Sequence, residues 1–212
     1  MTGVWNRTSR WVLAAACVLG AVGAGRGLAQ SGGGGTPSPD RAALADQEYA
    51  SAEAAARQNP RDAVLAVEAG GIAGDRGRHL LALTWFQKAE KLNPRLAPAI
   101  TGQGQMWMAL GWPGRAVAAY DRALKLAPEE PQLLLEMSRA CAAQRDLDRA
   151  LELAKKAQTL LPGDAHTARA LAHIHAERNE MDLSLVAAQK ACDLAPQDDA
   201  NWTTWGQLLF RA

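Results

Sequence analysis

The sequence predicts an all-α chain built as a stack of helix–turn–helix units. Two observations carry that class. Proline stands at Pro60, Pro94, Pro128, Pro162 and Pro196, each 34 residues after the last. With proline at about 5% of ordinary sequence, four further matches in one frame have a chance probability on the order of 10⁻⁵. The composition points the same way, being 48% hydrophobic but only 5% aromatic, with alanine supplying much of the apolar total. Such a chain suits close-packed helices, whereas a sheet core draws on Val, Ile, Tyr and Phe.

The frame fixes more than proline. Alanine recurs at Ala55, Ala89, Ala123, Ala157 and Ala191, and leucine precedes the later prolines at Leu92, Leu126, Leu160 and Leu194. Small residues recur at Gly70, Gly104, Ser138, Ala172 and Gly206, and again at Ala82, Ala116, Ala150 and Ser184. Where two helices cross closely, only Gly, Ala or Ser lets the backbones approach to the short end of the usual separation. Bulky residues fill the space around those points, as Ile100 and Trp107 do beside Gly104. Proline ends each second helix because it cannot continue the hydrogen-bond ladder without a clash. Gly77 and Gly111 fall between paired helices, where the chain must turn.

A 34-residue period with these positions resembles the tetratricopeptide-repeat (TPR) family over about residues 40–212. The resemblance implies a right-handed superhelical solenoid. It divides the chain into an N-terminal capping helix within 39–62, four repeats at 63–96, 97–130, 131–164 and 165–198, and a C-terminal helix within 199–212. Glu48, standing where later second helices carry Ala or Ser, fits a cap with one wet face. The second helix of the fourth repeat carries only small residues around Ser184, Ala188 and Ala191, so that repeat is expected to pack least well.

The segment ahead of the repeats reads as an export signal and a tether. No acidic residue occurs before Asp40, and Arg7 and Arg10 precede an apolar run from Trp11 to Gly25. That run is shorter than the roughly 18 residues a bilayer-spanning helix needs. Gly27-Leu28-Ala29 places small residues where a signal peptidase probes, giving a signal peptide over 1–29. Leu13 to Cys17 loosely resembles a lipoprotein signal, but Cys17 lies inside the apolar run, so lipidation is the weaker alternative. Residues 30–38 form a Gly/Ser/Pro linker. Losing Arg7, Arg10 and Arg26 with the signal leaves 20 of the 23 basic residues against 22 acidic ones. That balance argues against nucleic acid or anionic lipid as the main partner. No membrane span is expected once the signal is removed.

Catalytic and metal-binding patterns are missing from the sequence: there is no glycine-rich phosphate loop, paired-cysteine spacing or HExxH. The expectation is therefore a protein that is not an enzyme and takes no cofactor. His173 and His175 are two apart on a helix and point to nearly opposite faces, His175 inward and His173 outward. Cys141 and Cys192 lie on helices separated by two others and are expected to remain unbridged.

In TPR proteins the first helices line the inner surface that grips a peptide or protein partner. Carried onto this chain, the resemblance assigns that face to Val67, Thr101, Gln105, Met108, Leu135, Arg139, Arg169 and His173, with His166 at the rim. The chaperone-tail clamp of some family members is absent, since Val67, Gly71, Pro98, Gly102 and Gln132 hold the corresponding positions. The implied function is an interaction scaffold in the bacterial cell envelope, periplasmic or secreted. The alternative is a non-catalytic accessory subunit of an envelope enzyme or secretion machine. At the C-terminus Trp202, Trp205 and Leu209 form a stripe expected to dock on the fourth repeat, with Leu208 and Phe210 on other sides. Trp205 and Phe210 are the anchors of an interface expected there, for self-association or a partner. N-terminal sequencing of the exported protein should begin at Gln30; intact Met1 in a cytosolic fraction contradicts export, and a lipid-modified Cys17 selects the rival signal.

Overall fold

Ten α-helices and no strand make up the described residues, 39–212 of the computed structural model. The expected signal at 1–29, Cys17 and the linker at 30–38 lie outside the described residues. The helices are α1 (Pro39–Gln58), α2 (Ala63–Asp75), α3 (His79–Leu92), α4 (Ala97–Ala109) and α5 (Pro113–Leu124). They continue as α6 (Pro131–Ala143), α7 (Leu147–Leu160), α8 (Ala165–Glu177), α9 (Met181–Leu194) and α10 (Asp199–Arg211). Four hairpins, α2–α3, α4–α5, α6–α7 and α8–α9, are thus flanked by α1 and α10.

Each boundary has a local cause. Asp62 and Asp164 cap α2 and α8 by accepting from backbone N–H groups in the first turn. Pro113 and Pro131 open α5 and α6, where their missing N–H costs nothing. Pro60, Pro94, Pro162 and Pro196 stand just beyond the ends of α1, α3, α7 and α9, while α5 stops slightly sooner, at Leu124. The turn inside every hairpin uses one left-handed residue in the same frame position: Gly77, Gly111, Arg145 and Asn179, with φ of 70°, 76°, 68° and 61°. Glycine and asparagine tolerate that conformation, whereas Arg145 adopts it with steric strain.

The two helices of each hairpin cross at the small residues of the frame. Gly70, Gly104, Ser138 and Ala172 are buried there, opposite the equally buried Ala82, Ala116, Ala150 and Ser184. In the first two hairpins a ring lies on the glycine. A Cβ on Gly104 would stand 2.3 Å from Tyr120 Cε1, and one on Gly102 would stand 2.5 Å from Phe86, whose ring also covers Gly70. In the last two hairpins a hydroxyl replaces the ring. Ser138 Oγ donates to the carbonyl of Ala150 at 2.8 Å, and Ser184 Oγ donates to that of Ala172 at 2.7 Å. Ser138 and Ala172 share one frame position and Ala150 and Ser184 the other, so the same bond is made from opposite helices. The fourth hairpin is accordingly not loosely packed: Ser184, Ala188, Ala191 and Cys192 are all buried. Small side chains shorten that crossing instead of leaving a void.

Successive first helices touch one another, α2 with α4, α4 with α6, α6 with α8 and α8 with α10, while no second helix reaches the next second helix. First helices therefore lie on the inner side of the curve and second helices on the outer side. Long side chains bridge the wider outer gaps, including Arg122 to Glu90 and, at 2.7 Å, Arg149 to Asp121. The charge runs serve this spacing too, Lys88 donating to the Ala56 carbonyl and Lys156 to that of Pro128, each at 3.5 Å. At the α4–α5 turn Trp107 and Trp112 stack with centroids 5.5 Å apart, and the Arg115 guanidinium covers both rings.

Cys141 and Cys192 are both buried and no disulfide joins them, and burial pushes the Cys141 thiol above its usual pKa. Among the described residues no helix is long and apolar enough to cross a membrane.

The docking stripe of α10 differs from expectation. Asn201, Thr204 and Leu208 are its buried residues, with Trp205 packed beside them, whereas Trp202 and Leu209 are half-exposed. The 34-residue frame explains this, because Leu208 occupies the slot of Ile174 and Trp205 that of Leu171.

Gly104→Ala should destabilise by about 1–3 kcal/mol, since the added methyl collides with a fully buried ring. Gly71→Ala, where a Cβ meets nothing within 4 Å, should instead stabilise by about 0.5–1 kcal/mol. Denaturant midpoints of the two variants check both signs.

Candidate partner-binding groove

The inner surface is built by the exposed positions of the first helices. One frame position supplies Val67, Thr101, Leu135 and Arg169, and the next turn supplies Gly71, Gln105, Arg139 and His173. The first set sits low between successive first helices. Leu135 is 1% exposed, packed with Leu134 and Ala170, so it belongs to the core and not to the groove face assigned from the sequence. Val67 is partly buried against two core clusters, and Met108 is likewise packed against the core beside Trp107. Gln105 and His173 are exposed, and Thr101, Arg139 and Arg169 are half-buried. The groove proper thus follows the second set, uncharged at Gly71 and Gln105 and basic at Arg139 and His173.

Between α6 and α8 the surface deepens into a hollow of about 380 Å³ lined by Arg139, Ala142, Arg169, Ala170, His173 and Ile174. It brings together the three basic residues expected on this face and adds an apolar floor, Ala142, Ala170 and Ile174. That floor was legible in the frame, since Ala142 and Ile174 follow Arg139 and Ala170 by three and four residues, about one helical turn. A larger hollow of about 730 Å³ at the N-terminal loops is lined by residues such as Asp62 and Asn93. Their side chains are already committed, Asp62 to the N–H groups of Val64 and Leu65 and Asn93 to that of Arg95.

The cations of the groove are not equivalent. Arg169 donates to Asp198 at 2.9 Å and to Asn201 at 3.0 Å, and its other nitrogen meets His166 Nδ1 at 3.0 Å. Asn201 in turn donates to the carbonyls of Ala191 and Ala195 at the end of α9. Arg169 is therefore a staple holding α8, α9 and α10 together, and its expected role as a cation offered to a partner is corrected on that ground. Arg139 makes one local ion pair, with Glu136 at 3.1 Å, and keeps most of its donors turned to the groove. His173 lies above them. Loss of water around the ring, then Arg169 and Arg139, hold its pKa below the usual imidazole value against the opposing pull of Glu177. His175 points inward on the opposite face and bonds Glu180 at 2.6 Å, and the His175 and Arg178 bonds keep that carboxyl below its usual pKa. The two histidines share no site, and the described residues hold no cluster of three or more potential metal ligands.

No protein-family model matches the sequence, and no curated protein sequence does. Solved structures do match. The chain superposes on TTC0263, a thermophilic TPR protein of Thermus thermophilus, with TM-score 0.70 and 21% identity, over 81% of this chain and 94% of that one. MamA of Desulfovibrio magneticus RS-1 gives TM-score 0.65 at 18% identity, over 75% of this chain and 90% of that one. The fold is that of the tetratricopeptide repeat. YrrB, described as a TPR protein with an unusual peptide-binding site, gives TM-score 0.60 at 18% identity over 76% and 82% of the two chains. Within the TPR frame the residues lining the hollow of this chain come from the third and fourth repeats.

The lowered pKa fixes a sign. Below the ordinary imidazole value the unfolded chain takes up a proton that folded His173 resists, so stability falls as pH drops through that value. In NMR titrations His173 should titrate below an ordinary imidazole, Arg139→Gln should raise its midpoint, and His173→Gln should lessen the loss of stability in acid. An ordinary midpoint that Arg139→Gln leaves in place contradicts this account.

Proposed function

We propose that the protein is a non-catalytic interaction scaffold of the bacterial cell envelope, exported by its N-terminal segment, that holds an extended segment of a partner protein in the groove between α6 and α8. The observation that carries the reading is the pairing of an apolar floor with a largely uncommitted guanidinium on the inner TPR surface. A small apolar side chain fits over Ala142, Ala170 and Ile174, and a neighbouring carboxylate or backbone carbonyl accepts from Arg139. The apolar run Trp11 to Gly25 followed by Gly27-Leu28-Ala29 supports export. The similarity to YrrB supports a peptide as the class of ligand. The C-terminal helix gives the scaffold a second surface, for self-association.

Charge-assisted hydrogen bonds are worth about 1.5–3 kcal/mol, or roughly 10–100-fold in affinity. Fluorescence anisotropy with labelled peptides that place one apolar residue between acidic ones should show saturable binding. Arg139→Glu should weaken it by about that factor while leaving the circular-dichroism spectrum unchanged. Arg169 is unsuitable for the test because its replacement also loosens α10. Equal affinity for Arg139→Glu and the parent chain removes the groove as the site.

A further inference from the structure

Among the described residues nothing covers the outer face of α10. In each of the four hairpins the first helix meets its second helix through the same frame positions. The earliest supplies Ala66, Ile100, Leu134 and Ala168, all buried. The crossing position supplies Gly70, Gly104, Ser138 and Ala172, and the edge of the strip one turn later supplies Gly74, Met108, Ala142 and Ala176, where Gly74 faces Ala82 and Ala142 also lines the groove. On α10 those positions are Trp202, Gly206 and Phe210, with Leu209 beside them. Gly206 is exposed and a Cβ built on it would meet nothing within 4 Å, unlike its counterparts Gly70 and Gly104. Phe210 is 85% exposed, more than any other large apolar side chain among the described residues. Trp202 is held in place, its Nε1–H donating to the Pro196 carbonyl at 2.9 Å and its ring lying 5.7 Å from that of Trp205. A mid-helix glycine weakens a helix unless a neighbour uses the space it leaves.

We propose that two copies of the chain pair through α10, antiparallel about a twofold axis at Gly206, with each Trp202 packed against the partner's Phe210. This rests on reading the C-terminal helix as a surface for association and names what covers it. The interface continues one the molecule already makes four times, an antiparallel helix pair crossing at a small residue. The sequence is also symmetric about the crossing: one aromatic four residues before Gly206 and one four residues after it, all on one strip of the helix. In an antiparallel pair crossing at the glycine, each aromatic therefore faces the other kind, and both rings close over the glycine as Tyr120 closes over Gly104. The rival head-to-tail arrangement needs α1 of the next copy as a second helix. Glu48 stands at its crossing position, where α3, α5, α7 and α9 have Ala or Ser, and its side chain is 70% exposed. Close approach of another helix there would bury that carboxylate. A twofold pair uses the open end twice and closes on itself.

Light scattering on the full chain across a concentration series should give twice the chain mass. Phe210→Asp and Gly206→Leu should each return it to one chain mass with unchanged circular dichroism and a melting temperature that no longer rises with concentration, the second variant keeping the apolar surface and blocking only the close crossing. Gly206→Cys should form a reducible two-chain cross-link that Gln207→Cys does not. A single-chain mass at every concentration overturns the proposal, as does a doubled mass that survives both substitutions. A single chain whose α10 face instead binds a synthetic α5 peptide overturns the second copy as the occupant. Phe210→Asp should still bind the acidic peptides in the groove, so loss of pairing and loss of groove binding are read separately.

Discussion

The whole arrangement depends on how closely the two helices of each hairpin cross. A side chain larger than serine at Gly70, Gly104, Ser138 or Ala172 would force the pair apart, and every later hairpin inherits that spacing because it stacks on the one before. The chain holds the crossing by two different means. Its N-terminal half sets Phe86 and Tyr120 on glycines, which removes large apolar surfaces from water and leaves no room for a Cβ. Its C-terminal half has no ring to place there and uses the Ser138 and Ser184 hydroxyls, each satisfied by a carbonyl across the crossing. A buried hydroxyl is tolerated only when so paired, which is why the serine can change helices but cannot lose its acceptor.

Close crossings within pairs leave the curvature to be decided between pairs. First helices touch their successors and second helices do not, so the stack bends toward the first helices. The outer gaps are spanned by exposed ion pairs such as Arg149 with Asp121, which contribute little energy individually but hold the spacing. Bending toward the first helices is what makes the groove, and the groove is deepest where small residues follow one another, at Ala142 and Ala170. Its chemistry then depends on which cation is already engaged. Arg169 is tied to Asp198 and Asn201, so the charge available to a ligand comes from Arg139 and, in acid, from His173.

The repeat frame made the hairpins legible because each frame position meets the same neighbours in every interior repeat. Proline, alanine and the small residues recur since their surroundings recur. The left-handed turn was read at Gly77 and Gly111 but is equally present at Arg145 and Asn179, where the residue type hides it. In the groove the frame was less informative. Leu135 and Arg169 share one position, yet one is core and the other a staple, because depth there is set by the spacing of successive first helices and not by helical periodicity. The bond from Arg169 to Asp198 joins residues far apart in sequence, and Asp198 already has a sufficient local role as the cap of α10.

The ends are where periodic reasoning fails, and for one reason. An end helix lacks a neighbour on one side, so a residue there answers to the neighbour it has or to something outside the chain. The stripe Trp202–Trp205–Leu209 has sound helical spacing, but α9 takes Asn201, Thr204 and Leu208, because Asn201 gives the Ala191 and Ala195 carbonyls a second donor beside their backbone N–H while anchoring Arg169. The two ends then diverge. At α1 the crossing position is Glu48, whose carboxylate stays in water beside Arg76, and a charge at that position bars another helix. At α10 the crossing position is Gly206, where a Cβ would meet nothing within 4 Å. The two end helices therefore carry opposite groups at the crossing position, a solvated carboxylate on α1 and an open glycine on α10.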